Sequence, residues 1–158
     1  MADLSGASLT ALIDAPLHLL GFEFGEITAE RVNGRLKITD SCCQPFRVLH
    51  GGVSALISEA LASIGGHVAS GFKRIAGIQL SINHHHPAVT GDLIFAEATP
   101  MHTGKTIQVW EVHIWKVDPS TSEKGPELAS SKVTLLSNLP VPENSRDAAA
   151  NLRKFAKL

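Results

Sequence analysis

The sequence predicts an α+β fold, one antiparallel sheet with a long helix packed on a single face. Two runs of period-two alternation come first, one helix-periodic stretch follows, and four further strand-like runs complete the chain between short turn signals. One domain accommodates all of this, because 158 residues suffice for one real core and leave too little for a second.

Residues 4–20 set small, polar and leucine residues at helical spacing and stop before Gly21. That predicts an N-terminal helical segment, 1–20, broken or started by Pro16. From Phe22 the period becomes two: "FEFGEITAE" and "GRLKITD" predict a hairpin, with Asn33-Gly34 between them as its turn. Residues 44–63, "QPFRVLHGGVSALISEALAS", run from a proline-broken loop into the helix. Beyond Gly71 the segments 77–87, 91–102, 105–117 and 126–138 predict four meandering strands, with turns at Gly91-Asp92, Gly104 and the polar stretch 118–125. The sheet-and-helix unit is therefore 21–138. After Pro140 the composition turns polar and basic, predicting a loose tail, 139–158, with a short helix over 145–155.

Apolar residues make up 44%, charged residues 18%, and the formal net charge is -1, a balance that favours no strongly charged partner. Lysines and arginines are scattered, so nucleic acid is not indicated. Cys42 and Cys43 are adjacent, which offers no disulfide framework and suits a reducing compartment. With no apolar run near the length of a membrane span and no basic-then-apolar N-terminus, the expectation is a soluble intracellular protein without membrane attachment.

On a helical wheel Val53, Leu56, Ile57, Ala60, Leu61 and Ile64 form an apolar stripe for the sheet. An adjoining stripe of Gly52, Ala55, Glu59, Ala62, Ser63 and Gly66 is small apart from its acid, which predicts close approach by a symmetry-related chain. A desolvated carboxylate there costs several kcal/mol unless paired or used, so Glu59 is either a solvent-facing acid or a working one. Ser63, one turn on, could share a water with it. Gly51 and Gly52 open the helix, where unpaired N–H groups and the dipole favour a developing negative charge. Eight residues of helix put Gly51 and Glu59 about 12 Å apart, too far to reach one carbon. A site using both therefore needs two chains, with antiparallel helices meeting at a two-fold axis.

The stretch resembles the signature of the hotdog-fold acyl-CoA thioesterases, in the branch that hydrolyses aromatic acyl-CoA esters. The branch pattern is Gln-Pro-Phe, a gap, Leu-His-Gly-Gly, an acid eight residues after the first glycine, and Ser or Thr four later. Here these are Gln44-Pro45-Phe46, Leu49-His50-Gly51-Gly52, Glu59 and Ser63. "GIQLSINHHHP" resembles the branch's following strand, with Asn83 and His84 on its Asn and His, while His85 and His86 depart from it. The resemblance implies a hotdog fold, an antiparallel sheet wrapped around one long central helix, working as a homodimer with shared sites, paired into a homotetramer. It implies that Glu59 attacks the thioester carbonyl or activates water, that Gln44 and the Gly51 N–H hold the oxyanion, that His50 positions the thioester, and that Ser63 holds water. Gly52, Asn83 and His84 join as substrate-binding residues. Such chemistry needs no metal or other cofactor.

"HHH" at 84–86 invites a metal, but strand alternation lets only His84 and His86 share one ion, fewer ligands than zinc usually takes. The turn at His102, Thr103, Gly104, Lys105 and Thr106 suits the phosphate or pantetheine portion of CoA, or is an ordinary solvated hairpin, and Lys132 is a weaker candidate of the same kind. Trp110 and Trp115 lie on opposite faces of their strand and are expected to pack. Ala156-Lys157-Leu158 resembles the small-basic-leucine address read by the peroxisomal import receptor, approached through Arg153 and Lys154 in a flexible tail. With that address the resemblance points to the plant peroxisomal members acting on 1,4-dihydroxy-2-naphthoyl-CoA, a step towards phylloquinone. Two rivals stand beside it: a hotdog dehydratase of hydroxyacyl thioesters, and a non-catalytic acyl-CoA-binding protein.

Overall fold

A computed structural model describes residues 6–157 of the chain. The predicted N-terminal helix is two helices, Gly6–Ile13 (α1) and Ala15–Leu20 (α2), and residues 4 and 5 lie outside the described range. The break falls at Asp14, whose carboxylate accepts the Leu17 N–H and caps α2, while Pro16 sits in its first turn where no N–H is missed.

Strands Glu23–Ile27 (β1) and Val32–Lys37 (β2) form the first hairpin. Its turn is not Asn33-Gly34 but the stretch 28–31, where Thr28 Oγ1 accepts the Glu30 and Arg31 N–H groups at 3.2 and 2.9 Å. Asn33 lies in β2 and its Oδ1 accepts the Glu26 N–H at 2.9 Å across the irregularity between Phe24 and Ile27. Gly34 lies where any Cβ would collide with the Phe22 ring. The Asn-Gly pair thus serves a bulge and a close ring contact rather than a turn.

The long helix Gly51–Ala69 (α3) crosses one face of a six-stranded antiparallel sheet completed by Arg74–His84 (β3), Leu93–Thr103 (β4), Ile107–Val117 (β5) and Lys124–Leu139 (β6). Strand order is β1-β2-β4-β5-β6-β3, which leaves β3 as a long edge. By length and composition α3 could cross a membrane, contrary to the expectation that no segment approaches that length, yet more than half of it is buried under its own sheet.

Four of the six stripe residues, Ile57, Ala60, Leu61 and Ile64, are buried, while Val53 and Leu56 are only half-buried. The buried face is wider than the stripe and also takes in Ser54, Ser58, Ala62, Gly65, Gly66 and Val68. Ala62 and Gly66, expected to meet another chain, are buried within this one, and Gly65 and Gly66 make room for fully buried Trp110 and Leu135. Trp110 Nε1 donates to Gln108 Oε1 at 2.9 Å, and Gln108 Nε2 donates to the Gly66 carbonyl at 3.2 Å, a satisfied polar chain tying helix to sheet. Trp115 lies on the outer face, stacked with Phe95 and His113, so the two tryptophans do occupy opposite faces. A Cβ at Gly65 would stand 2.5 Å from the Trp110 ring. Gly65→Ala should therefore lower stability by about 1–3 kcal/mol, because overpacking outweighs the gain in helix propensity of about 1 kcal/mol. Denaturant unfolding measures it, and a rise in midpoint would refute the packing.

The tail is not loose. A 3-10 turn at Glu143–Ser145 leads to Ala150–Phe155 (α4), shorter than the helix expected over 145–155. Leu152 and Ala149 are buried, the Asn151 amide donates to the Leu12 carbonyl at 3.1 Å, and the Arg153 guanidinium lies 5.1 Å over the Phe72 ring. Lys157 then joins the outer edge of β1, its N–H donating to the Ile27 carbonyl at 2.9 Å. Apolar positions spaced through a polar segment, Ala149 and Leu152, are what pull it onto the body.

Candidate active site

The loop before α3 folds back on itself, with Cys43 bridged to Leu49 and Val48 to Val89, and Arg47 in the left-handed region at φ 63°. Gln44 Oε1 accepts the Phe46 N–H at 2.8 Å. Only an oxygen can accept there, so the other end of the amide, Nε2, is a donor. His50 is the N-cap of α3 and its Nδ1 accepts the Gly52 N–H at 2.8 Å. That bond consumes the Gly52 amide, against the expectation that it binds substrate, and fixes the His50 ring as a cap. The Gly51 N–H has no acceptor among the described residues. It opens on a cavity of about 370 Å³ whose walls include Gln44, Leu49, Ser54, His84 and Leu128. A Cβ at Gly51 would come within 3.1 Å of His84 Nε2, so glycine lets that ring close over the helix start.

His85 and His86 also border this cavity, because β3 ends at His84 and strand alternation no longer applies. Both of their N–H groups donate to the Leu128 carbonyl, at 2.8 and 3.4 Å, a local bulge that turns both rings to β6. His85 Nε2 pairs with Ser130 Oγ at 2.8 Å and His86 Nδ1 with the Glu127 carbonyl at 2.7 Å. The limit to His84 and His86 is thereby corrected, although the described residues hold no group of three or more His, Cys, Asp or Glu arranged for a metal ion.

Glu59 is two turns further along α3 and half-buried, with Ser63 Oγ donating to its Oε1 at 3.3 Å. Its carboxylate lies against Gly77 of β3, where a Cβ would overlap it. In one chain, then, the Gly51 end of α3 is beside His84 and the Glu59 region is beside Gly77. Helix and strand run antiparallel, and the two halves of the expected site stay apart.

Of the remaining candidates, Asn83 is exposed on β3 opposite Ser130. Thr103, Gly104 and Lys105 line a separate polar cavity of about 500 Å³ at the C-terminal end of α3, while His102 and Thr106 do not. Lys73 stands in the same cavity and donates to Asn138 Oδ1 at 2.7 Å; it carried no sequence signal. Lys132 is exposed on the outer face of β6, away from α3, which removes it from these cavities. Sequence reasoning also missed Ser54 and Leu128, which line the cavity at Gly51 but belong to no motif.

The sheet wrapped around one central helix is the hotdog fold, and the chain belongs to the thioesterase superfamily, whose family model matches residues 46–123. It is 54% identical over 144 residues to 1,4-dihydroxy-2-naphthoyl-CoA thioesterase 2 of Arabidopsis thaliana, covering 90% of this chain and 92% of that protein. The 1,4-dihydroxy-2-naphthoyl-CoA hydrolase of Escherichia coli is 28% identical, over 74% of this chain and 84% of its own length. Among solved structures, a thioesterase from Haemophilus influenzae superposes with a TM-score of 0.73 at 27% identity, covering 89% of this chain and 94% of that one.

Proposed function

We propose that this protein hydrolyses an aromatic acyl-CoA, 1,4-dihydroxy-2-naphthoyl-CoA, to the free acid and CoA. The observation that carries the mechanism is the antiparallel placement of α3 on a free edge strand, with Gly51 beside His84 and Glu59 beside Gly77. An eleven-residue edge invites pairing, and Ile78 on it is 55% exposed, as is Phe46 nearby in sequence to Gln44 at 87%. If two β3 strands pair antiparallel about a two-fold axis near Leu80, the Gly77 end of one strand runs beside the partner's His84. Glu59 then arrives beside the partner's Gly51 and Gln44, twice in each dimer.

In that site the Gly51 N–H and Gln44 Nε2 hold the thioester oxygen. Glu59 either adds to the carbonyl carbon or takes a proton from a water that does. The resulting oxyanion collapses, the C–S bond breaks, and CoA leaves as the thiolate, which takes back the proton that Glu59 removed from water or, if Glu59 added, a proton from water; in that second route another water then hydrolyses the acyl-enzyme anhydride. Ser63 holds the water against Glu59, and the cavity walls at His84–His86 accommodate the pantetheine arm. The identity of 54% with the Arabidopsis enzyme supports the naphthoyl substrate and, through it, phylloquinone synthesis.

Thiol release from a panel of aromatic and aliphatic acyl-CoA esters tests the activity. The dihydroxynaphthoyl ester should have the highest kcat/KM; enoyl product without free thiol would establish the dehydratase instead, and no turnover of any ester would leave a binding protein.

The peroxisome is the proposed compartment. Because Lys157 is paired to β1, an import receptor must draw the last residues off that edge to read them. Leu158 itself lies outside the described residues. A reporter ending in the native tail should enter peroxisomes, and one lacking Leu158 should stay cytosolic; equal distributions would make the tripeptide accidental.

A further inference from the structure

We propose that a second pocket, built by the C-terminal segment over α3, is the acyl-specificity site and holds the substrate's fused aromatic ring; this rests on the functional reading above. The pocket measures about 440 Å³ and is lined by Ser63, His67, Phe72, Ile75, Ala148 and Arg153, among others. Its volume is that of a small-molecule site, ample for two fused rings.

Position assigns the occupant. The pocket begins at Ser63, whose hydroxyl touches Glu59, and extends one further turn along α3 to His67, away from the Gly51 end. A thioester carbon beside Glu59 therefore has two spaces around it. One is the partner's cavity at Gln44 and His84, edged by polar rings and suited to the pantetheine arm. The other is this one, walled by Ile64, Phe72 and Ile75, into which an apolar acyl group would project. The Arg153 guanidinium already lies 5.1 Å over the Phe72 ring, and a planar aromatic ligand extends such a stack.

His67 supplies the polar recognition. Burial pushes its pKa down, a backbone hydrogen bond with Phe72 opposes this, and the nearby Arg153 charge lowers it further. Burial therefore favours the neutral ring, in which one nitrogen donates and the other accepts. A phenolic hydroxyl is the donor that such an acceptor takes. The roof, 141–149, lies beyond the residues 46–123 matched by the family model.

The test measures kcat/KM of the full-length protein on 1,4-dihydroxy-2-naphthoyl-CoA, unsubstituted 2-naphthoyl-CoA and hexanoyl-CoA. Ala148 is exposed at the roof, so Ala148→Trp fills the pocket without entering the core. The dihydroxynaphthoyl-to-hexanoyl ratio should fall at least about tenfold, the scale of steric rejection in an apolar pocket. Asp147→Trp, one residue away and outside the lining, should leave that ratio in place. Should Ala148→Trp fail to fold, His67→Leu provides an independent measurement: the preference for the dihydroxylated over the unsubstituted ring should drop about tenfold. Hydrolysis with both ratios unmoved overturns the pocket alone. No aryl-CoA hydrolysis by the native protein overturns the functional reading and the pocket with it.

Discussion

Glu59→Gln is expected to lower kcat by at least about a thousandfold, or roughly 4 kcal/mol of transition-state stabilisation, while the protein stays folded and binds its ester. Shape is nearly conserved by the change, and the glutamine carbonyl can still accept the Ser63 hydroxyl that Glu59 Oε1 accepts at 3.3 Å. What disappears is the anion, which serves as nucleophile or as base. The loss should appear in kcat rather than KM, because a ground-state ester gains little from the carboxylate. Retention of most of kcat removes Glu59 from the chemistry and leaves its contact with Gly77 as packing. Isolation of an acyl-enzyme from the native protein in single-turnover experiments would select attack over general-base catalysis.

Strand alternation and a nineteen-residue helical stretch are strong local signals, and they make the α+β layout legible in the sequence. The Gln44 to Ser63 pattern was legible for a related reason: its residue types are tied to backbone events, a cap at His50 and an open helix start at Gly51, that a spacing rule captures. Other features depend on partners far away in the chain. Gly66 reads as part of a smooth face for another molecule until Leu135 is seen to fill it. Asn33-Gly34 has the composition of a turn, and only the Phe22 ring above Gly34 and the Glu26 amide beside Asn33 explain its place within a strand. The tail misled for the same reason: its polar composition dominates, yet Leu152 and Ala149 are buried, Asn151 bonds α1, Lys157 joins β1 and Arg153 covers Phe72. The pocket under that tail has no sequence signature at all, since it is made of residues from α3, β3 and 141–153.

Mixed dimers provide the sharpest test of the shared site. Chains carrying Gln44→Ala and chains carrying Glu59→Gln should each form homodimers with weak or no activity, since every site in either parent lacks one component. Unfolded together and refolded, they should form heterodimers in which one site carries both defects and the other carries neither. Random association makes about half of the dimers mixed, each with one intact site of two, so about a quarter of native activity should return. Pairing of dimers into tetramers leaves this fraction unchanged, because each site is completed within its own dimer. The expected recovery follows from α3 geometry: about 12 Å of helix separates Gly51 from Glu59 within a chain, and only a partner related across the β3 edge closes that distance. Heterodimers confirmed by mass but no more active than their parents would mean that Gln44 and Glu59 serve the same chain. The β3 edge would then need some other cover, and Glu59 a route to Gly51 that a rigid helix does not provide.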